Sequence, residues 1–184
     1  MQMSQFKRSA ISMALVAAAM AAGTAHAGVV TLDVAGISSN AEFGDASNVT
    51  RFIDIAAGAH ITSISWSVWL TADSPSWLSE IAVDLNDGSL AGFSLAPGFG
   101  DNSSGSGFFS GTADLVALGA DFVLGASGRL NFEFFELFDD NFGAEDGRWD
   151  RGSLTVNFVP EPATFGLAAL ALLGVGATSR RRKS

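Results

Sequence analysis

The stretch "FDDNFGAEDGRWD", residues 138–150, holds the strongest local cluster of metal-binding oxygens in the chain. Asp139, Asp140, Asn141, Glu145, Asp146 and Asp150 place six oxygen-bearing side chains in twelve positions. Calcium takes about six to eight hard oxygen ligands, and a glycine-containing loop is supple enough to wrap it. The stretch is therefore a candidate calcium site, although its spacing is not that of an EF-hand loop. The same residues also suit a solvated acidic hairpin, whose charge keeps a strand edge from pairing.

The second set of chemically useful residues is aromatic. The chain has four tryptophans, Trp66, Trp69, Trp77 and Trp149. An indole face stacks on a sugar ring, but it also fills a core. Trp66 shares the apolar face of its segment and is expected inside. Trp69 falls on a serine-rich face, Trp77 in a loop after "TADSPS", and Trp149 in the acidic turn. These three are the candidate glycan contacts. Glycosidase chemistry would need two carboxylates about 5 to 9.5 Å apart, and nothing marks one pair out among so many acids. No catalytic residue is assigned, and the expectation is a protein without enzymatic activity.

Composition narrows the chemistry further. The whole chain carries −9, yet six of its ten basic residues lie at the two ends. Residues 28–159 keep four arginines and eighteen acids, a net −14. Such a domain repels nucleic acid and anionic lipid and favours cations or neutral partners. It has no cysteine, which excludes a disulfide framework, thiol catalysis and zinc–thiolate sites. It also has no lysine or tyrosine, and His60 is its single histidine. A lone histidine at a strand entry reads as a turn or surface residue.

Both ends of the chain are built for export. Lys7 and Arg8 precede an apolar run at 10–22, and Ala25-His26-Ala27 supplies small residues where a signal peptidase reads them. Cleavage is expected after Ala27, making residues 1–27 a signal peptide. At the other end, residues 163–178 carry no charge. As a helix they would be about 24 Å long, short for a hydrocarbon core of about 30 Å. Arg180, Arg181, Arg182 and Lys183 follow and would stay cytoplasmic, which leaves the main domain outside. Pro160 and Pro162 block regular structure just before the apolar segment and leave an extended peptide.

Pro160-Glu161-Pro162, the short Gly/Ala/Leu-rich segment and the basic tail together resemble the PEP-CTERM sorting signal. The resemblance covers residues 160–184. It implies processing by an exosortase, a membrane-embedded cysteine transpeptidase-like enzyme of Gram-negative bacteria. Hosts of this family usually make exopolysaccharide or biofilm matrix. A plain membrane anchor is the competing reading of the same tail.

Between the ends, the apolar pattern has a period of two. Ile64, Trp66, Val68 and Leu70 alternate with serines. Ile81, Val83 and Leu85 alternate with Glu80, Ala82 and Asp84. Leu130, Phe132 and Phe134 alternate with Asn131 and Glu133, and Leu154, Val156 and Phe158 alternate with Thr155 and Asn157. Further strands are expected over 29–34 and 49–55, with weaker ones over 90–95 and 120–124. Turn signals stand at 86–89, 96–107, 125–128 and 144–152. About eight short strands with glycine-rich turns specify an all-β antiparallel sandwich or jelly roll over residues 28–159. A signal helix and a transmembrane helix would flank it in the precursor. One short helical turn is expected within 110–118. The segment around Trp149, Gly152 and Leu154 is faintly similar to the P-domain jelly roll that accompanies subtilisin-like proteases.

The expected protein is thus an exported, exosortase-processed component of the cell surface or biofilm matrix, non-catalytic, with glycan or calcium as ligand. The alternatives are a polysaccharide-active enzyme on the same scaffold and a permanently anchored structural module. Its partners would be signal peptidase, an exosortase, transiently the inner membrane, and an extracellular polysaccharide, with no nucleic acid.

Overall fold

Alternating apolar and polar residues need two sheets whose inner faces meet, and the chain forms them. A computed structural model describes residues 27–161 except Leu90. The signal segment with Ala25, and residues 162–184 with Pro162, the apolar stretch and the basic tail, lie outside the described residues. The strands in chain order are β1 Gly28–Asp33, β2 Ile37–Ser39, β3 Val49–Asp54, β4 His60–Ala72 and β5 Ile81–Asn86. After them come β6 Gly92–Leu95, β7 Gly105–Asp114, β8 Phe122–Val123, β9 Arg129–Glu136 and β10 Gly147–Val159. The helix α1, Leu115–Leu118, is one turn long. Asp114 caps it by accepting from the Ala117 N–H, and Gly119 ends it at φ 67°.

One sheet runs β1-β10-β4-β7, with β2 added on β10 and β8 on β4. The other runs β3-β9-β5-β6. All these strand pairings are antiparallel. The pairs β1·β10, β3·β9, β4·β7 and β5·β6 nest one inside another, like a single long hairpin rolled so that successive pairs alternate between sheets. That winding is a jelly roll.

The core lies between the sheets. Ile64, Val68, Leu70, Trp149, Leu154 and Val156 from one sheet meet Ile81, Val83, Leu85, Leu130, Phe132 and Phe134 from the other, all of them buried. Phe134 and Trp149 meet edge to face at 5.2 Å. Trp66 packs against this core as expected, half-buried.

Two expectations are corrected. The helical turn within 110–118 is confined to Leu115–Leu118, because Gly105–Asp114 is a ten-residue strand. Its inward positions are Gly107, Phe109, Gly111 and Ala113. Three of the four are too small to register as apolar alternation. The need for a small residue is specific at Gly111, where a Cβ would come within 2.5 Å of the Trp66 ring.

The turn expected over 144–152 is also mostly strand. β10 begins at Gly147 and carries a bulge between Trp149 and Arg151, opposite Leu70 and Trp69 of β4. Gly152 at φ 119° lies just beyond the bulge, with the backbone of Ser67 and Val68 against its α-carbon. A side chain fits neither that conformation nor that space.

Candidate functional site

The acidic stretch is the loop from β9 to β10, and the fold splits its acids into two groups. Glu145 and Asp150 face outward and share Arg148. Its Nη1 lies 3.1 Å from Glu145 Oε1 and its Nε 2.9 Å from Asp150 Oδ1. Ser38 Oγ donates to Glu145 at 2.6 Å, and Thr71 Oγ1 donates to Asp150 at 2.6 Å. Burial raises the Asp150 carboxyl, but the Thr71 hydroxyl and Arg148 outweigh it and hold the group below the usual carboxylate range. These two acids are already satisfied. Asn141 is half-buried, and its carbonyl accepts from the Ala144 N–H within the same loop.

The second group turns inward. Asp146 is fully buried. Its Oδ2 accepts from the Asp140 N–H at 3.0 Å, while its Oδ1 has no partner. Facing it is Glu136, the last residue of β9, also fully buried, with neither carboxyl oxygen hydrogen-bonded. Asp139, from a third residue, adds a fourth buried, unpartnered oxygen atom, Oδ1. The backbone fixes these groups. Glu136 N–H donates to Ala41 O at 2.8 Å, and Asp146 N–H donates to Ser39 O at 3.1 Å. A Cβ on Gly147 would sit 2.8 Å from Glu136 Oε1, so glycine there leaves the carboxylate its space.

The electrostatics follow from this geometry. Burial first, then Asp146, Glu80 and Asp140, push the Glu136 carboxyl up to about 9, opposed only by the Ser39 hydroxyl. Burial and Asp146 also raise Asp139. The linear reading missed Glu136, although a signal for it exists. Glu136 continues the inward series Leu130, Phe132, Phe134, which places a carboxylate where the period of two demands a core residue.

The tryptophans separate as well. Trp149 is completely buried, and its Nε1 donates to Ser39 Oγ at 3.3 Å. It cannot offer a face to a sugar, and its assignment as a glycan contact is corrected: the bulge of β10 turns it into the core. Trp69 and Trp77 remain exposed, at 38% and 44%. Trp77 sits in the loop before β5, where its N–H donates to Glu80 at 2.8 Å.

Trp69 stands in a row across three strands, with Arg151 of β10 on one side and Phe108 of β7 on the other. The Arg151 guanidinium lies 4.6 Å from the indole centroid and the Phe108 ring 5.7 Å from it. The rows beside it on this outer face are Ser153, Ser67, Ser110 and then Thr31, Thr155, Ser65, Thr112. Cross-strand hydroxyl pairs tie them together, Ser65 to Thr112 at 2.9 Å and Thr31 to Thr155 at 3.3 Å. His60 pairs with Asp121 at 2.6 Å at the entry to β4.

The first and last strands of the sandwich meet at one pole. Gly28 pairs with Phe158, two residues before Pro160. β10 is thirteen residues long, so its two ends are about 40 Å apart at about 3.3 Å per residue. The acid loop lies at one end of it and Pro160-Glu161 at the other.

Residues 158–183 match the PEP-CTERM protein-sorting motif. The motif marks an exported, exosortase-processed protein sorted to the bacterial cell surface. No curated protein matches the chain. Among solved structures, the subviral particle of infectious bursal disease virus VP2 is 14% identical over 72% of this chain, with a TM-score of 0.38. This chain spans about a third of that one, 32%. Desmodium yellow mottle tymovirus is 9% identical over 74% of this chain and 82% of its own, with a TM-score of 0.27. Nora virus is 9% identical over 72% and 54%, with a TM-score of 0.26.

Proposed function

We propose that this protein is a non-catalytic glycan-binding component of the surface or biofilm matrix of a Gram-negative bacterium, delivered there by an exosortase. The observation that carries the glycan reading is the row Arg151–Trp69–Phe108 among hydroxyl-bearing rows on the outer face of the β1-β10-β4-β7 sheet. Phe108 and the free part of the indole suit the apolar face of a sugar ring. Arg151 brings guanidinium N–H donors beside them, and the serine and threonine rows supply further donors and acceptors. A net charge of −14 over residues 28–159 favours a neutral polysaccharide over an acidic one. Trp77 is a second, separate contact on a loop. A divalent cation, if bound, belongs to the acid loop rather than to this face.

The test is binding of the exported protein to a panel of neutral extracellular polysaccharides. Binding that Trp69→Ala and Phe108→Ala each weaken by about 1 kcal/mol, close to fivefold, supports the reading. Release of reducing ends from the same polymers would instead identify an enzyme. Binding that is indifferent to both substitutions would remove this face from the account.

A further inference from the structure

We infer that Glu136 and Asp146, joined by Asp139, form a binding site for a hard divalent cation of the calcium type, built inside the sandwich end rather than on the surface of the acidic loop. Four carboxylate oxygens from these three residues are buried without a hydrogen-bond partner: both of Glu136, Oδ1 of Asp146 and Oδ1 of Asp139. A buried carboxylate left unpaired is costly, so some positive charge or donor must face it.

The candidates within the domain are few. Residues 28–159 contain no lysine and four arginines. Arg148 is held by Glu145 and Asp150, Arg129 by Asp54, and Arg151 lies over Trp69, while Arg51 donates to the Thr50 carbonyl. No arginine therefore neutralises the pocket, and the neutral Ser39 hydroxyl beside Glu136 offers one donor at most. One proton shared by Glu136 and Asp146 would satisfy at most two of the four oxygens. A cation satisfies several at once.

Calcium suits the arrangement better than magnesium, because it accepts irregular geometry, bidentate carboxylates, carbonyls and water. Among the described residues no three acidic side chains close to ligand distance. Glu136 and Asp146, held by their N–H bonds to Ala41 and Ser39, would anchor the ion, and Asp139 would swing in from the loop to complete it. Two of the residues that looked like ligands in the linear sequence, Glu145 and Asp150, are excluded because Arg148 occupies them. The site is distinct from the Trp69 row, and its failure would leave the glycan reading untouched.

The experiment uses the full chain in nonionic detergent, melted in excess calcium and in excess chelator. The inference predicts a melting temperature several degrees higher in calcium, and indole-sensitised terbium luminescence that calcium competes away. Glu136→Gln should abolish both responses while melting in chelator no lower than the parent, since a neutral amide keeps the shape of a carboxyl that burial already disfavours as an anion. Asp146→Asn, which retains the acceptor for the Asp140 N–H, provides the second variant if the first does not fold. Glu145→Gln should leave both responses intact. Coincident melting curves in calcium and chelator would overturn the inference. So would a calcium response that survives both Glu136→Gln and Asp146→Asn.

Discussion

Trp149 and Trp69 lie on neighbouring strands, Trp149 opposite Leu70 and next to Trp69 in register, yet they have opposite fates. Trp149 is fully buried beside Phe134, so Trp149→Ala should cost about 3–5 kcal/mol in urea unfolding, the scale of an emptied aromatic site. Trp69→Ala, on the outer face, should move the unfolding midpoint far less and act on glycan affinity instead. Equal stability losses for the two would contradict this placement. The linear pattern put Trp69 on the polar face correctly, because the serines of β4 mark that face. It misplaced Trp149 by reading 144–152 as a turn, whereas β10 already begins at Gly147 and its bulge before Arg151 puts Trp149 on the inward side. Glu136 was legible in principle, since it follows Leu130, Phe132 and Phe134 in step. What hid it was its charge, which reads as surface until a partnerless buried carboxylate is seen.

At the scale of elements, the strands that announced themselves were those with large inward residues: β4, β5, β9 and the second half of β10. β7 stayed hidden because three of its four inward residues are glycine or alanine, one of them, Gly111, against the Trp66 ring. This gives a direct check. Gly111→Ala should destabilise the fold by about 1–3 kcal/mol, as overpacking does, and relief by Trp66→Phe in the double variant would show that the indole is the obstacle. Gly152→Ala should be worse than Gly111→Ala, because it adds left-handed backbone strain to contact with Ser67 and Val68. A Gly152→Ala protein as stable as the parent would contradict the strain and the close contact with Ser67 and Val68 at that position.

For the whole molecule, the nested strand pairs bring the first strand against the last, so both expected processing points flank one pole of the jelly roll. A cut after Ala27 leaves Gly28 to open β1, with no dangling segment before it. A cut near Pro160-Glu161-Pro162 frees β10 just after Val159. Both cuts spare every paired strand, so processing should not change the fold. The acid loop and the last residue of β10 are about 40 Å apart along that strand, and the Trp69 row crosses it in its half nearer the loop. Replacing Pro160, Glu161 and Pro162 by alanine should hold the precursor in the membrane fraction, since the exosortase would lose its recognition element. The class of fold and the route of export were readable from periodicity and from the two ends. The meeting of the inward carboxylates was not, because it depends on the loop that carries the chain from β9 in one sheet to β10 in the other.

The most direct measurement is mass spectrometry of the protein recovered outside the cell, which reports both termini at once. An N-terminus at Gly28 and a C-terminus close to Pro160-Glu161-Pro162, with residues 163–184 gone, is the predicted result. Extracellular protein that still ends at Ser184 would contradict exosortase processing and the account built on it.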